Sequence, residues 1–214
     1  MFNTDIIHFL QSFDYPWLHS FMAFISALGL VPFILFIILG ITFAFDFRKG
    51  LVLMNIVAWT ALTTVLLKQN IDFPRPPDVD TSIKTTYKEQ VTYDLKNQQP
   101  QGFFELFSAE ILSKTRNDAF ERYGFPSGHT SIQVALWLSM MFLFKRKWSY
   151  ILGASIILLT IISRMYLGAH FLGDTIGGLI VGLFFSLFLL RYIKDSKFYI
   201  KRAHNFKSLS FLGF

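Results

Sequence analysis

Along this chain, long apolar runs alternate with short polar interruptions, and the runs are too long and too free of charge for the core of a soluble domain. The first, 17–47, exceeds one upright membrane helix and is interrupted by Gly29 and Pro32. It divides into 17–28, which carries His19 and Ser20 and is short enough to lie at the interface or enter the bilayer only partly, and 31–47, which spans it. Arg48, Lys49 and Gly50 form a tight basic turn into a second span, 51–67, that ends at Lys68. A third span, 130–144, stops at Lys145, Arg146 and Lys147, and a fourth, 148–162, runs into Ser163 and Arg164. The fifth, 171–190, precedes a basic tail of Arg191, Lys194, Lys197, Lys201, Arg202 and Lys207. The pattern predicts an all-α, polytopic membrane bundle of about five transmembrane helices plus an N-terminal interfacial or re-entrant helix.

The one long polar segment, 77–124, mixes Lys, Asp, Glu, Gln and Thr and reads as an extended loop inserted into a single domain, 1–214. Within it, Phe103, Leu106, Phe107 and Ile111 recur at helical spacing over 103–112. Two readings fit: a short amphipathic helix resting on the bilayer, or a compact outer cap that uses these side chains as its own small core.

Composition narrows the class. Hydrophobic residues make up 53% of the 214 positions and charged residues 16%, which is membrane composition. With no cysteine, disulfides, thiolate metal sites and cysteine nucleophiles are excluded. The net charge of +6 is gathered at the ends of apolar runs, so it speaks for topology and anionic headgroups and not for nucleic acid. The first fifteen residues hold Asp5 and Asp14 but no Lys or Arg, so no removable signal peptide is expected.

Charge also orients the bundle. The positive-inside rule puts the Arg48–Lys49 turn, the 145–147 turn and the C-terminal tail in the cytoplasm. Alternation of the spans then brings three clusters to the opposite, outer face: Lys68 with Arg75 and Pro76; Pro126, Ser127, Gly128 and His129; and Ser163, Arg164, His170 and Asp174.

Gathered at one face, these residues suit metal-independent cleavage of a phosphate ester. Asp174 follows His170 by four residues, within reach of one ring nitrogen, which leaves the other to attack phosphorus and stabilises a phosphohistidine. A helix-capping Asp beside an interfacial His would look the same. Lys68, Arg75 and Arg164 can grip phosphoryl oxygens, although each alone also reads as an interface anchor. Ser127, Gly128 and His129 open a span, so their N–H groups lie at a helix N-terminus suited to an anion. Ser127 can donate to phosphate or simply cap the helix, and His129 can protonate a leaving alkoxide and later activate water. His8, His19 and His204 have no charged partner at useful spacing, and the sparse carboxylates in the clusters form no set of three or four metal ligands.

In their order and spacing, Lys68-(six residues)-Arg75-Pro76, Pro126-Ser127-Gly128-His129 and Ser163-Arg164-(five residues)-His170-(three residues)-Asp174 resemble the three-part signature of the type 2 phosphatidic acid phosphatase superfamily, with no signature position substituted. The resemblance covers about 51–190, and the family includes bacterial membrane lipid phosphatases, glucose-6-phosphatase and vanadium haloperoxidases. It implies His170 as nucleophile, His129 as general acid/base, Asp174 as orienter of His170, and Lys68, Arg75, Ser127, Gly128 and Arg164 as phosphate binders, with no metal or other cofactor. The 77–124 insert is longer than the connection in many small members, and bacterial members often have six spans.

The expected function is a lipid phosphate phosphatase of the bacterial inner membrane, with its site on the periplasmic or extracellular face and its C-terminus cytoplasmic. Phosphatidic acid, phosphatidylglycerol phosphate, undecaprenyl pyrophosphate and a lipid A phosphate are all candidate substrates, and the expected partners are that lipid and the bilayer. The alternatives are a lipid phosphotransferase using the same phosphohistidine, a vanadate-dependent haloperoxidase and a non-catalytic lipid-binding or transport protein.

Overall fold

The structure, a computed structural model, describes residues 2–71, 73–85, 98, 100, 102, 105–115 and 123–195. Among them there are helices and no strand: α1 (Asp5–Gln11), α2 (Pro16–Ala27), α3 (Val31–Gly40) continuing as a π-helical turn (Ile41–Phe45), α4 (Phe47–Ile71), α5 (Pro76–Val79), α6 (Ala109–Thr115), α7 (Gly128–Phe144), α8 (Lys147–Tyr166) and α9 (Leu172–Asp195). The tail beyond Asp195, including His204, lies outside the described residues.

Three of these helices, α4, α8 and α9, are long and apolar enough to cross a membrane, and α2 with α3 and its π-helical turn forms one pair, bent by 58°, that counts as a fourth if taken as a single broken span. The bend follows from local chemistry. Pro32 is the second residue of α3, in the first turn where its missing N–H is no loss, and Leu30 is extended (φ −76°, ψ 148°), so the helix cannot run through. The fifth apolar helix, α7, has 17 residues and spans about 25 Å at 1.5 Å per residue, the short end of the crossing range.

α7 is the axis of the bundle and packs against α4, α8 and α9. Its buried positions, among them Thr130, Ser131, Gln133, Val134, Leu136, Trp137 and Met140, face all sides, which explains why it carries no single apolar stripe. α9 approaches it through a ladder of small residues. A Cβ at Gly182 would stand 2.6 Å from the Ser131 carbonyl oxygen and one at Gly178 2.6 Å from that of Ser127, so glycine is required for this backbone contact. One turn further, Ser186 Oγ donates to the Ala135 carbonyl at 3.4 Å. On the α4 side, the Thr64 and Ser131 hydroxyls are hydrogen-bonded at 2.9 Å.

The outer surface of the bundle carries exposed Phe36, Phe43, Trp59, Ile151, Leu158, Ile180, Phe184 and Phe188, the apolar girdle that lipid would cover. The two basic turns lie at one end: Lys49 Nζ sits 4.8 Å over the Phe144 ring, at the start of α4 and the end of α7. Lys68 and Gly128 therefore mark the opposite end of this antiparallel pair.

A cap covers that opposite end. Phe2, Ile7, Val79, Ile83, Phe107, Met165 and Phe171 form its buried core. This is the outer-cap reading of the loop, and it corrects the placement of the helix. α6 begins at Ala109, six residues after 103, and Phe107 is 4% exposed inside the cap core, while Phe103 and Phe104 lie outside the described residues. His8 corrects another expectation. Its Nε2 lies 2.9 Å from Asp80 Oδ2, a partner 72 positions away that local spacing could not reveal. Arg48, Lys49 and Gly50 form no separate turn but the first turn of α4, whose N–H groups at Arg48 and Lys49 are received by Asp46 Oδ1 at 3.0 and 3.1 Å.

Candidate active site

Lys68 occupies the last turn of α4, where polar residues extend the helix past its apolar run. Its Nζ donates to the carbonyls of Tyr123 at 2.7 Å and Gly124 at 3.5 Å, reaching across to the segment that leads into α7. The extended stretch 73–75 ends at Arg75, the N-cap residue of α5, whose N–H donates to Asp78 Oδ2 at 2.9 Å. Two prolines, Pro76 and Pro77, begin this short helix and stiffen the Arg75 backbone.

Gly124 is where the three clusters meet. Its N–H donates to the Phe73 carbonyl at 2.8 Å, and a Cβ there would come within 2.9 Å of the Pro74 carbonyl oxygen and 3.1 Å of Asp174 Oδ2. Three residues on, Ser127 N–H donates to the Asp174 carbonyl at 2.9 Å. Ser127 caps α7: its Oγ accepts from the Thr130 hydroxyl at 3.0 Å and the Thr130 N–H at 3.5 Å, and the side chain is fully buried. Gly128 and His129 follow as the first helical residues, with Gly128 lying beside Lys68.

The turn after α8 folds back on itself. The Arg164 carbonyl accepts the N–H groups of Ala169 at 3.0 Å and His170 at 3.3 Å, and Gly168 takes a positive φ of 64° at the corner. His170 is thereby placed beside Arg164 just before α9 begins. His170 Nδ1 lies 3.4 Å from Asp174 Oδ2, which also receives the Phe171 N–H at 2.9 Å. That contact is at the long end for a hydrogen bond, a common state of catalytic pairs before substrate tightens them. It pins Nδ1 and directs chemistry to Nε2. His170 is 2% exposed and Asp174 fully buried, with Asp174 Oδ1 lacking a hydrogen-bond partner among the described residues.

Electrostatics fixes the state of His170. Burial above all, then the charges of Arg164, Lys68 and Arg75 and the neighbouring His129, holds its pKa well below 6.5, so the imidazole is neutral near pH 7. A neutral, buried imidazole oriented by a carboxylate and ringed by cations can attack an electrophilic, anionic centre.

All eight residues singled out from the sequence, Lys68, Arg75, Ser127, Gly128, His129, Arg164, His170 and Asp174, thus converge at one end of the bundle. Four further residues were not legible there. Asp78 holds the Arg75 backbone, and Gly124 is the junction just described. From the N-terminal half, Ser26 Oγ accepts from Arg164 Nη1 at 2.5 Å, and Gly29 lies against the His129 ring.

Known proteins share the sequence family and the fold. The family model described as the PAP2 superfamily matches residues 49–198. A lipid A 4'-phosphatase of Porphyromonas gingivalis is 39% identical over 106 residues, which cover 44% of this chain and 45% of that protein, so the shared part spans less than half the length of the relative. Among solved structures, a transmembrane PAP2-type phosphatidylglycerolphosphate phosphatase from Bacillus subtilis superposes with a TM-score of 0.66 at 22% identity, covering 91% of this chain and 86% of that one. Aquifex aeolicus LpxE superposes with a TM-score of 0.67 at 18% identity, covering 90% and 96% respectively. The two structures share the fold, and the family model takes in all three clusters that meet at Gly124: this chain belongs to the PAP2 superfamily.

Proposed function

We propose that the protein is a lipid phosphate phosphatase that cleaves a phosphate ester of a membrane lipid through a phosphohistidine, without a metal. The observation that carries this reading is the His170 imidazole buried against Asp174, with Lys68, Arg75, Arg164 and His129 gathered around it.

The reaction follows from the geometry. His170 Nε2 attacks phosphorus in line with the departing lipid oxygen, while Asp174 stabilises the imidazolium that forms. Lys68, Arg75 and Arg164, with the N-terminal N–H groups of α7, hold the equatorial oxygens where negative charge accumulates. His129, protonated once the anionic phosphate lies beside it, donates that proton to the leaving alkoxide, and as a base then takes one from the water that releases phosphate from His170. Both His residues finish as they began, and the products are the dephosphorylated lipid and inorganic phosphate.

The relative acting on lipid A makes a lipid A phosphate the first substrate to test, followed by phosphatidylglycerol phosphate, phosphatidic acid and undecaprenyl pyrophosphate. The site faces the periplasm or cell exterior, with the basic turns in the cytoplasm.

Phosphate release from this panel in detergent tests the reading, with and without EDTA. Turnover is expected on at least one lipid, retained in EDTA, and abolished together with any acid-labile phosphoenzyme in His170→Ala. Full activity in that variant removes the nucleophile, and loss on chelation restored by magnesium removes the metal-free mechanism. Phosphate delivered to an added acceptor with little release as inorganic phosphate would make the protein a phosphotransferase.

A further inference from the structure

Two contacts reach the site from a part of the chain that precedes the 49–198 family match. Ser26, in the last turn of α2 and 7% exposed, accepts the 2.5 Å hydrogen bond from Arg164 Nη1. Three residues later, at the break before α3, Gly29 packs on His129. A Cβ there would stand 2.7 Å from His129 Cδ2, 3.2 Å from Cγ and 3.3 Å from Cβ, closer than the ring can accept without moving. The two contacts involve the cation beside the proposed nucleophile and the proposed acid, and they come from the end of α2 and the break that follows it, the corner of one 58° elbow.

We infer that the α2–α3 elbow is a working part of the catalytic site, with Ser26 a positioning residue for Arg164 and Gly29 a positioning residue for His129. The inference rests on the phosphatase reading above. A long guanidinium side chain populates many rotamers, and a buried acceptor at Nη1 selects one of them. A hydroxyl does so without neutralising the charge, whereas a carboxylate at the same place would draw the positive field away from the phosphoryl oxygens. Gly29 acts through space: with no side chain, it lets the α2–α3 backbone lie flat against the imidazole and sets how close His129 comes to the leaving oxygen. The elbow itself has a role in this arrangement. An unbroken helix would present a ridge of side chains to α7 and α8 where the site needs a hydroxyl and a bare backbone.

Ser26→Ala, Ser26→Thr and Gly29→Ala, compared with wild type and His170→Ala in detergent, test this. Three quantities are read: kcat and KM on the turned-over lipid, vanadate affinity by vanadium NMR titration, which requires no knowledge of the lipid, and Tm. Ser26→Ala is expected to lower kcat/KM roughly tenfold and weaken vanadate, a mimic of the pentavalent transition state, by a similar factor with Tm unchanged. Ser26→Thr, which keeps the hydroxyl, is expected to restore both. Gly29→Ala is expected to lower kcat with little change in KM, since leaving-group protonation and not binding is disturbed. Wild-type kcat/KM and vanadate affinity in Ser26→Ala overturn the inference. So does a loss in Ser26→Ala that Thr does not rescue, or one accompanied by a falling Tm, because the residue would then be structural. If His170→Ala is inactive while Ser26→Ala and Gly29→Ala behave as wild type, only this inference fails; if His170→Ala is active, the phosphatase reading fails instead.

Discussion

In the mechanism proposed here His170 must be neutral to attack, and the groups proposed to bind phosphate also keep it so. Its pKa is lowered by burial and by Arg164, Lys68, Arg75 and His129, so protonation becomes easier when one of these charges is removed. In Arg164→Gln the acid limb of the pH profile of kcat/KM is therefore expected to move to higher pH, in addition to the loss of rate from weaker phosphate binding. Profiles of wild type and variant over the acid range check this, and an unmoved limb would mean that the titrating group is not His170. Such local relations could be read from the sequence because His170 and Asp174 are four apart and Ser127 caps the helix that His129 opens. Ser26 and Gly29 could not. The Ser26–Arg164 contact joins positions 138 apart, and no local spacing in either segment marks it.

Among the elements, hydropathy located the spans but cut three of them short at the end that carries the site. It predicts 51–67, 130–144 and 148–162, whereas the helices run Phe47–Ile71, Gly128–Phe144 and Lys147–Tyr166. The missing residues, among them Lys68, Gly128, Ser163 and Arg164, include much of the chemistry, because an apolar scale marks the lipid-facing length while the site lies in the helical turns beyond it. The cap was the least legible element. The segment that leads into α1 docks on it through Phe2, fully buried, with ring centroids 5.3 Å from Phe73, 4.7 Å from Phe107 and 5.4 Å from Phe171. Phe73 lies two residues before Arg75 and Phe171 directly after His170, so this cluster braces two parts of the site at once. Phe2→Ala is expected to cost about 3–5 kcal/mol of local packing and to lower both Tm and kcat, as read by thermal unfolding in detergent and phosphate release. Wild-type values for both would show that Phe2 does not brace the site.

At the scale of the whole molecule, the distribution of charge and the convergence of the site make one claim about direction across the bilayer. Lys49 beside Phe144 places two basic turns at one end of the α4–α7 pair, and Lys68 beside Gly128 places the site at the other. On our proposal the positive-inside rule then puts the end that carries the candidate site outside, where a lipid headgroup in the outer leaflet of that membrane would enter from the side. A chain without cysteine makes the test clean, because a single introduced thiol is the only target for a maleimide. Thr81 is exposed and lies beside Ile83 and Lys84, which pack at the site end against the cap core and Gly168 respectively; Lys147 is exposed at the other end, with Lys145 and Arg146 left to keep the charge bias. In spheroplasts, a membrane-impermeant maleimide is expected to label Thr81→Cys at once and Lys147→Cys only after permeabilisation. The reverse pattern would turn the molecule over and place lipid dephosphorylation on the cytoplasmic leaflet, leaving the site chemistry intact but changing which pool of lipid it serves.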